Sequence, residues 1–266
     1  MPNKNKRIDR EGQGAAKIFD DRSLKTDYRT LVPLLKAGMD VLDIGCGTGA
    51  ISKDMANLVG PLGRVTGIDN TERFIASGRQ SYDSVANLNL ICADLFEYDP
   101  EEKYDLIVAA RVLQWLSNPE EALLKMKSLL KPNGIISILD YNHIELEWDP
   151  EPPESMIRFY KTFLRWRADA GMNNTIADDL PEMFERTGLV QVQKINSDEC
   201  YTRSAPDFRS KVGIWSKVAG STQMVKEGYL EDEIRLRAIS EYNEWVEDKA
   251  VSMTMKLNEV RGRVPE

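Results

Sequence analysis

Gly45, Gly47 and Gly49 alternate with Cys46 and Thr48 immediately after an apolar stretch that ends in Asp43-Ile44. Without a Cβ at these points the backbone can turn sharply, and a ligand can lie directly against it. Ile51, Met55, Leu58 and Val59 then repeat at helical spacing. The unpaired N–H groups and positive dipole end of that helix face the same loop. Two more acids stand where the next strands should end: Asp69, which Asn70 follows, and Asp94, which Leu95 follows. A carboxylate at the first position can accept from ribose hydroxyls, and one at the second can accept from the exocyclic amine of adenine. A pyrophosphate would be repelled by Asp43, whereas an ammonium or a sulfonium would be attracted. The constellation suits a nucleoside-type ligand that has no phosphates. Gly45, Gly47 and Ala50 also satisfy the loose dinucleotide fingerprint, so an NAD(P)-dependent oxidoreductase remains as an alternative.

The elements that must hold these residues alternate between strand and helix. Strands are expected at Asp40–Ile44, Arg64–Asp69, 88–93, Tyr104–Ala110 and 135–140, several of them nearly continuous apolar runs, as strands covered on both faces should be. Asn118-Pro119-Glu120-Glu121 reads as a cap, a Pro at the first helical position and an acid three residues after the cap. Ala122, Leu123, Met126, Leu129 and Leu130 supply the buried stripe of that helix. Alternation of this kind predicts right-handed βαβ crossovers and a parallel sheet. After Tyr141 the pattern changes. Residues 142–153 hold acids, prolines and a tryptophan and read as an excursion over the surface. Helices follow at about 154–170 and 175–187, then a strand over 189–201. Residues 206–249 are mostly helical, with Leu230, Ile234, Ala238, Tyr242 and Val246 at four-residue spacing. Val251, Met253, Met255 and Leu257 alternate in a last strand with one buried face. The expected organisation is a flexible arm over 1–14 and one domain over 15–266, with helical lid insertions at about 142–174 and 206–249.

Composition narrows the partners. A net charge of −8 argues against broad binding to a phosphate backbone, so no nucleic-acid partner is expected. No apolar run approaches the length of a membrane helix, and no signal-peptide core opens the chain. Cys46, Cys92 and Cys200 are far apart and read as reduced, buried thiols, which fits a cytoplasmic protein. With one histidine in the chain, no metal site is expected.

The segment VLDIGCGTGAISKDMA resembles the first motif of class I S-adenosylmethionine (SAM)-dependent methyltransferases. VTGIDNT, ICADLFEYD and YDLIVAARVLQWLSNPEEALLKMKSLLKPNGIISILDYN follow in that family's order and spacing. The resemblance is strong over residues 28–142 and weaker over 175–203 and 250–262, and the subtype is similar to small-molecule enzymes related to quinone-biosynthesis methyltransferases. It implies an α/β, Rossmann-like, seven-stranded, mostly parallel sheet with an antiparallel last strand and helices on both faces. It also implies SAM as the methyl donor and S-adenosylhomocysteine as the product. Carried over by position, Gly45, Cys46 and Gly47 would hold the methionine part, with Asp43 near its ammonium. Asp69 and Asn70 would bind the ribose, Asp94 and Leu95 would grip the adenine, and Ala110 and Arg111 would flank the methionyl end. Arg29 would meet the carboxylate.

Methyl transfer from a sulfonium is an in-line displacement, so the protein must align the acceptor and exclude water. A base is needed only where the acceptor loses a proton. His143, just after the fifth strand on the ligand-binding edge, is the candidate. Tyr141, Trp148 and Tyr201 are the candidate walls of the acceptor pocket. After the fourth strand the chain reads Ala109-Ala110-Arg111-Val112, unlike the motif of DNA adenine and protein glutamine methyltransferases, which favours a small-molecule acceptor. A non-catalytic SAM-binding scaffold is a further alternative, and either a monomer or a homodimer fits.

Overall fold

The computed structural model describes Asn5, Lys6, Ile8 and residues 22–265. The expected arm over 1–14 lies outside the described residues except at those three positions. The parallel strands are β1 (Asp40–Ile44), β2 (Arg64–Asp69), β3 (Leu88–Cys92), β4 (Tyr104–Ala110) and β5 (Leu130–Asp149). After them come β6 (Val190–Asn196), β7 (Glu199–Thr202) and β8 (Ser252–Arg263). The sheet runs β3-β2-β1-β4-β5-β8-β6, with β7 also on β8. β8 is antiparallel to β5, β6 and β7. The expected Rossmann-like sheet with its antiparallel last strand is present.

Alternation along each central strand sorts its side chains to two faces. Val41, Leu106, Val108, Ile135 and Leu139 go to one core, and Leu42, Ile107, Ala109, Ile136 and Ile138 to the other. The first core takes the helix α2 (Ala50–Val59) through Met55, Ala56 and Val59, and also the inserted helices. The second takes α4 (Pro119–Ser128), which lies beyond α3 (Glu72–Ser81) in the chain, and α6 (Ile176–Arg186). A short α1 (Leu24–Asp27) and a 3-10 turn at Arg29–Leu34 precede β1. The cap that opens α4 forms as its residue types predict, with Asn118 Oδ1 accepting from Glu121 N at 3.3 Å.

Two expectations are corrected. Residues 142–149 are no surface excursion: β5 continues to Asp149, pairing Glu147, Trp148 and Asp149 with Thr254, Met253 and Ser252. Glu145, Glu147 and Asp149 are exposed while Leu146 and Trp148 are half-buried, so the acids are the outward half of a strand alternation. The expected strand over 189–201 is two strands. The chain breaks at Ser197-Asp198, where Ser197 N donates to Leu257 O and Asp198 Oδ1 accepts from Leu257 N. The sheet therefore has eight strands among the described residues.

The inserted helix α5 (Glu154–Asp169) packs against α10 (Asp232–Asp248), with α7 (Phe208–Val212), α8 (Ile214–Ala219) and α9 (Gln223–Lys226) between them in the chain. The stripe Leu230, Ile234, Ala238, Tyr242 and Val246 is buried as its spacing predicts. Cys92 and Cys200 are exposed and Cys46 is half-buried, contrary to the expectation of three buried thiols. Cys92 ends the edge strand β3, which has a neighbour on one side only.

Candidate functional site

The glycine loop crosses from β1 to α2 at the C-terminal end of the sheet. Gly45, Gly47 and Gly49 all have positive φ, at 68°, 59° and 84°. A Cβ at Gly45 would lie 2.5 Å from Val112 Cγ2, so the loop is pressed against the segment that leaves β4. Gly45 N and Cys46 N both donate to Ile68 O, which ties the loop to β2. Asp69, 4% exposed, accepts from Gly47 N (3.1 Å) through one carboxylate oxygen and from Thr71 N (2.9 Å) through the other. A carboxylate only accepts, which is the chemistry that ribose hydroxyls require. Asn70 beside it is exposed. Asp94 is exposed and accepts from Phe96 N (2.8 Å), while Leu95 is buried beneath.

Asp43 accepts from Ser52 Oγ (2.5 Å). Burial pushes its carboxyl up to about 7, against the opposing Ser52 hydrogen bond and with help from the charge on Asp69. Asp43 itself has no ion-pair partner among the described residues, and an α-ammonium beside it would supply one. Thr48 Oγ1 in the same loop is buried with no hydrogen-bond partner among the described residues. The donor set fits the amino-acid end and ribose of SAM. Burial, with Asp43 and Asp69, also pushes the Cys46 thiol up, so it stays protonated and is part of the loop rather than a nucleophile.

Beyond Ala110, at the exit of β4, Arg111 takes a left-handed φ of 62°. Its buried guanidinium donates to Tyr141 Oη (2.6 Å) and Asp27 O (3.2 Å), and it pairs with Glu199. Burial works against its charge, but Tyr141, Glu199 and Asp27 outweigh burial and hold it firmly protonated. Tyr201 Oη donates to the other oxygen of Glu199 (2.8 Å). The side chain of Arg111 is thus turned into a network with Tyr141 and Tyr201 rather than toward the glycine loop. Arg29 is exposed at the start of the 3-10 turn. The arginine from this region that joins the network is Arg22, whose pKa is lowered by burial and by Arg111.

His143 is 5% exposed. Its backbone N donates to Asn174 O, and its Nε2 lies 2.6 Å from Gln114 Oε1. Burial, aided by Arg167, drives its pKa well below the ordinary value, so the ring is neutral at neutral pH. Around it stand Tyr141, Phe163 and Trp215, with ring centroids at 5.3, 5.9 and 6.2 Å. Trp148 packs edge-on to Tyr160 and Trp215, and its Nε1 donates to Tyr242 Oη (3.0 Å). Asp27, Gln114, Arg167 and Glu199 escaped sequence reasoning. Each also touches residues far along the chain, Arg111 meeting Asp27 and Glu199 and Gln114 meeting His143 and Arg167, and no local pattern marks them.

A family profile described as "Methyltransferase domain" matches residues 35–188. Malonyl-[acyl-carrier protein] O-methyltransferase 2 of Ilyobacter polytropus is 29% identical over 136 residues, 49% of this chain and 52% of that protein. The matched part therefore spans about half the length of that relative. Demethylmenaquinone methyltransferase of Staphylococcus aureus is 27% identical over 171 residues, 60% of this chain and 71% of that protein. A SAM-dependent methyltransferase from Aquifex aeolicus shares the fold, with a TM-score of 0.56 and 18% identity over 97% of this chain and 100% of that one. The antiparallel β8, the acids around the glycine loop and the family match together set the dinucleotide alternative aside, and the chain belongs to the class I SAM-dependent methyltransferases.

Proposed function

We propose that this protein transfers the methyl group of SAM to a small-molecule acceptor. The observation that carries the reading is the buried Asp43, uncompensated beside Asp69 in a loop of left-handed glycines. Bound there, SAM supplies a methyl group made electrophilic by the sulfonium. Asp43 and the backbone of Gly45, Cys46 and Gly47 hold the amino-acid end, with Ala110 and the backbone of Arg111 flanking it. Asp69 and Asn70 hold the ribose, and Asp94 and Leu95 the adenine. The rings around His143 keep water from the acceptor side, where each electrostatic contact is stronger for its absence.

His143 takes the acceptor's proton as the new bond to carbon forms, and Tyr141, Trp148 and Tyr201 shape the acceptor pocket. The two relatives' names, a malonyl carrier and a demethylmenaquinone, mark carboxyl and quinone-type acceptors. The aromatic surroundings of His143 favour the latter. Its three well-separated cysteines favour the cytoplasm, its net charge of −8 disfavours a nucleic-acid partner, no membrane partner is expected, and a monomer or a homodimer fits. Among the described residues no helix is long and apolar enough to cross a membrane.

Calorimetric titration with SAM, S-adenosylhomocysteine and NAD tests the donor: the first two should bind and NAD should not. A panel of hydroquinone, hydroxyl and amine acceptors, read by S-adenosylhomocysteine release, then tests the transfer. His143→Ala should lower that release by about 10²–10⁴-fold, the usual worth of a general base, and leave donor affinity unchanged. NAD binding alone would overturn the reading.

A further inference from the structure

Gln114 is 2% exposed, and both its backbone and its side chain are engaged. Its N donates to Asp140 Oδ2 (3.2 Å) and its O accepts from Arg167 Nη2 (2.8 Å). Its Nε2 donates to Arg111 O (3.2 Å), and its Oε1 faces His143 Nε2 at 2.6 Å. A backbone carbonyl can only accept, so the group facing Arg111 O must be the amide NH2. The amide oxygen is then left facing the imidazole. That oxygen cannot donate, so the proton between the two residues belongs to His143 Nε2. A neutral imidazole carries one N–H, which puts the lone pair on Nδ1. Nδ1 has no hydrogen-bond partner among the described residues.

We propose that Gln114 is a positioning residue for methyl transfer: it locks His143 in the Nε2–H tautomer and so presents the Nδ1 lone pair as the proton acceptor. The proposal rests on the reading of His143 as the base. The proton of the acceptor's O–H or N–H bond passes to Nδ1 as the bond to carbon forms, and the positive charge that leaves sulfur is then carried by the imidazole. Rotation of the ring is opposed on three sides by Tyr141, Phe163 and Trp215. Its backbone is tied by Asn174 O and by Tyr160, whose Oη donates to His143 O (2.6 Å). The charged groups around this network are Arg167, Asp140 and Arg111. Arg167 sits over the Trp115 ring at 4.8 Å and joins the same network through Gln114 O. The arrangement parallels that of an oriented catalytic imidazole, with a neutral amide in place of the usual carboxylate.

The chain has a single histidine, so 15N-labelled histidine gives one imidazole to read. In the unsubstituted protein with S-adenosylhomocysteine bound, Nε2 should give a pyrrole-type signal and Nδ1 a pyridine-type signal at neutral pH. The opposite tautomer, or an imidazolium, overturns the proposal without any variant being made. Gln114→Leu should lose the fixed tautomer and at least tenfold of the methyl-transfer rate while keeping donor affinity. Gln114→Glu, which still offers an oxygen to Nε2–H, should restore the tautomer. An unchanged tautomer in Gln114→Leu overturns the proposal. The expected tautomer combined with full turnover by His143→Ala means instead that the base reading has failed, and the catalytic role of Gln114 with it.

Discussion

Between Asp43 and Asp94 the acids at the site are held mainly by backbone groups: Asp69 by Gly47 N and Thr71 N, Asp94 by Phe96 N. Between Gln114 and Trp215, by contrast, side chains pack on and bond to one another as well as to backbone. Gln114 meets His143, Trp148 meets Tyr242, and four aromatic rings pack edge to face. The first region builds a site from turn geometry, which tolerates little change in backbone and much in the surrounding side chains. The second builds one from packing and buried polar pairs, where each partner depends on another far along the chain.

The largest effect expected from breaking it is at Gly45. Gly45→Ala asks a residue with a Cβ to keep a φ of 68° with that Cβ 2.5 Å from Val112. Strain of about 1–3 kcal/mol is expected from the conformation alone, which is about 5–150-fold in SAM affinity. Adding Val112→Ala should recover part of the loss, since it removes the overlap but leaves the strain. Wild-type affinity in the single variant, measured by calorimetry, would show that the loop is no cradle for the donor.

Asp43 and Asp140 sharpen the comparison, because burial pushes both carboxyls from 3.8 up to about 7. Asp140 is opposed in this by hydrogen bonds from Gln114 N and Tyr141 N. Each carboxyl binds its proton more tightly in the folded chain than in the unfolded one. Folded protein therefore holds the extra protons between about pH 4 and about pH 7, and stability should fall as pH rises through that window. Only Asp43 stands where an ammonium would favour its ionised form. SAM affinity should accordingly weaken as pH drops below about 7, by up to about tenfold per unit, as expected for one coupled proton. Asp43→Asn should abolish that dependence and Asp140→Asn should leave it intact. If both variants behave alike, the two regions are not electrostatically separate.

The same contrast explains how much could be read from the chain. Glycines, strand-end acids and caps act through neighbours within a few residues, and so the order of strands, the loop and the α4 cap were all legible. Residues 142–149 were misread because acids alternating with Leu146 and Trp148 resemble a polar loop until β8 arrives to pair with them. The break at Ser197-Asp198 depends on Leu257, sixty residues on, which no local pattern announces. Arg22 carries no local mark either, because position before β1 says nothing about which side chain turns inward. Gln114 carries no charge and no distinctive spacing, so only the three-dimensional meeting of Arg111, His143, Asp140 and Arg167 reveals its contacts.

The smallest effect expected is at Trp148, where β5 extends beneath the inserted helices. Trp148→Phe keeps an aromatic ring beside Tyr160 and Trp215 but removes the Nε1 donor to Tyr242 Oη. Tyr242 still donates to Val212 O at 2.9 Å, so its hydroxyl is not stranded. The loss should be about 0.5–1.5 kcal/mol of folding stability, the net worth of one hydrogen bond, read from a shifted denaturation midpoint with an unchanged slope. SAM affinity should stay as in the wild type, because Trp148 packs against Tyr160, Trp215 and Tyr242 rather than against the glycine loop. Any change in KM should appear for the acceptor alone. A matching loss of SAM affinity would mean that the aromatic packing reaches the glycine loop through Val112, and that donor and acceptor regions act as one unit.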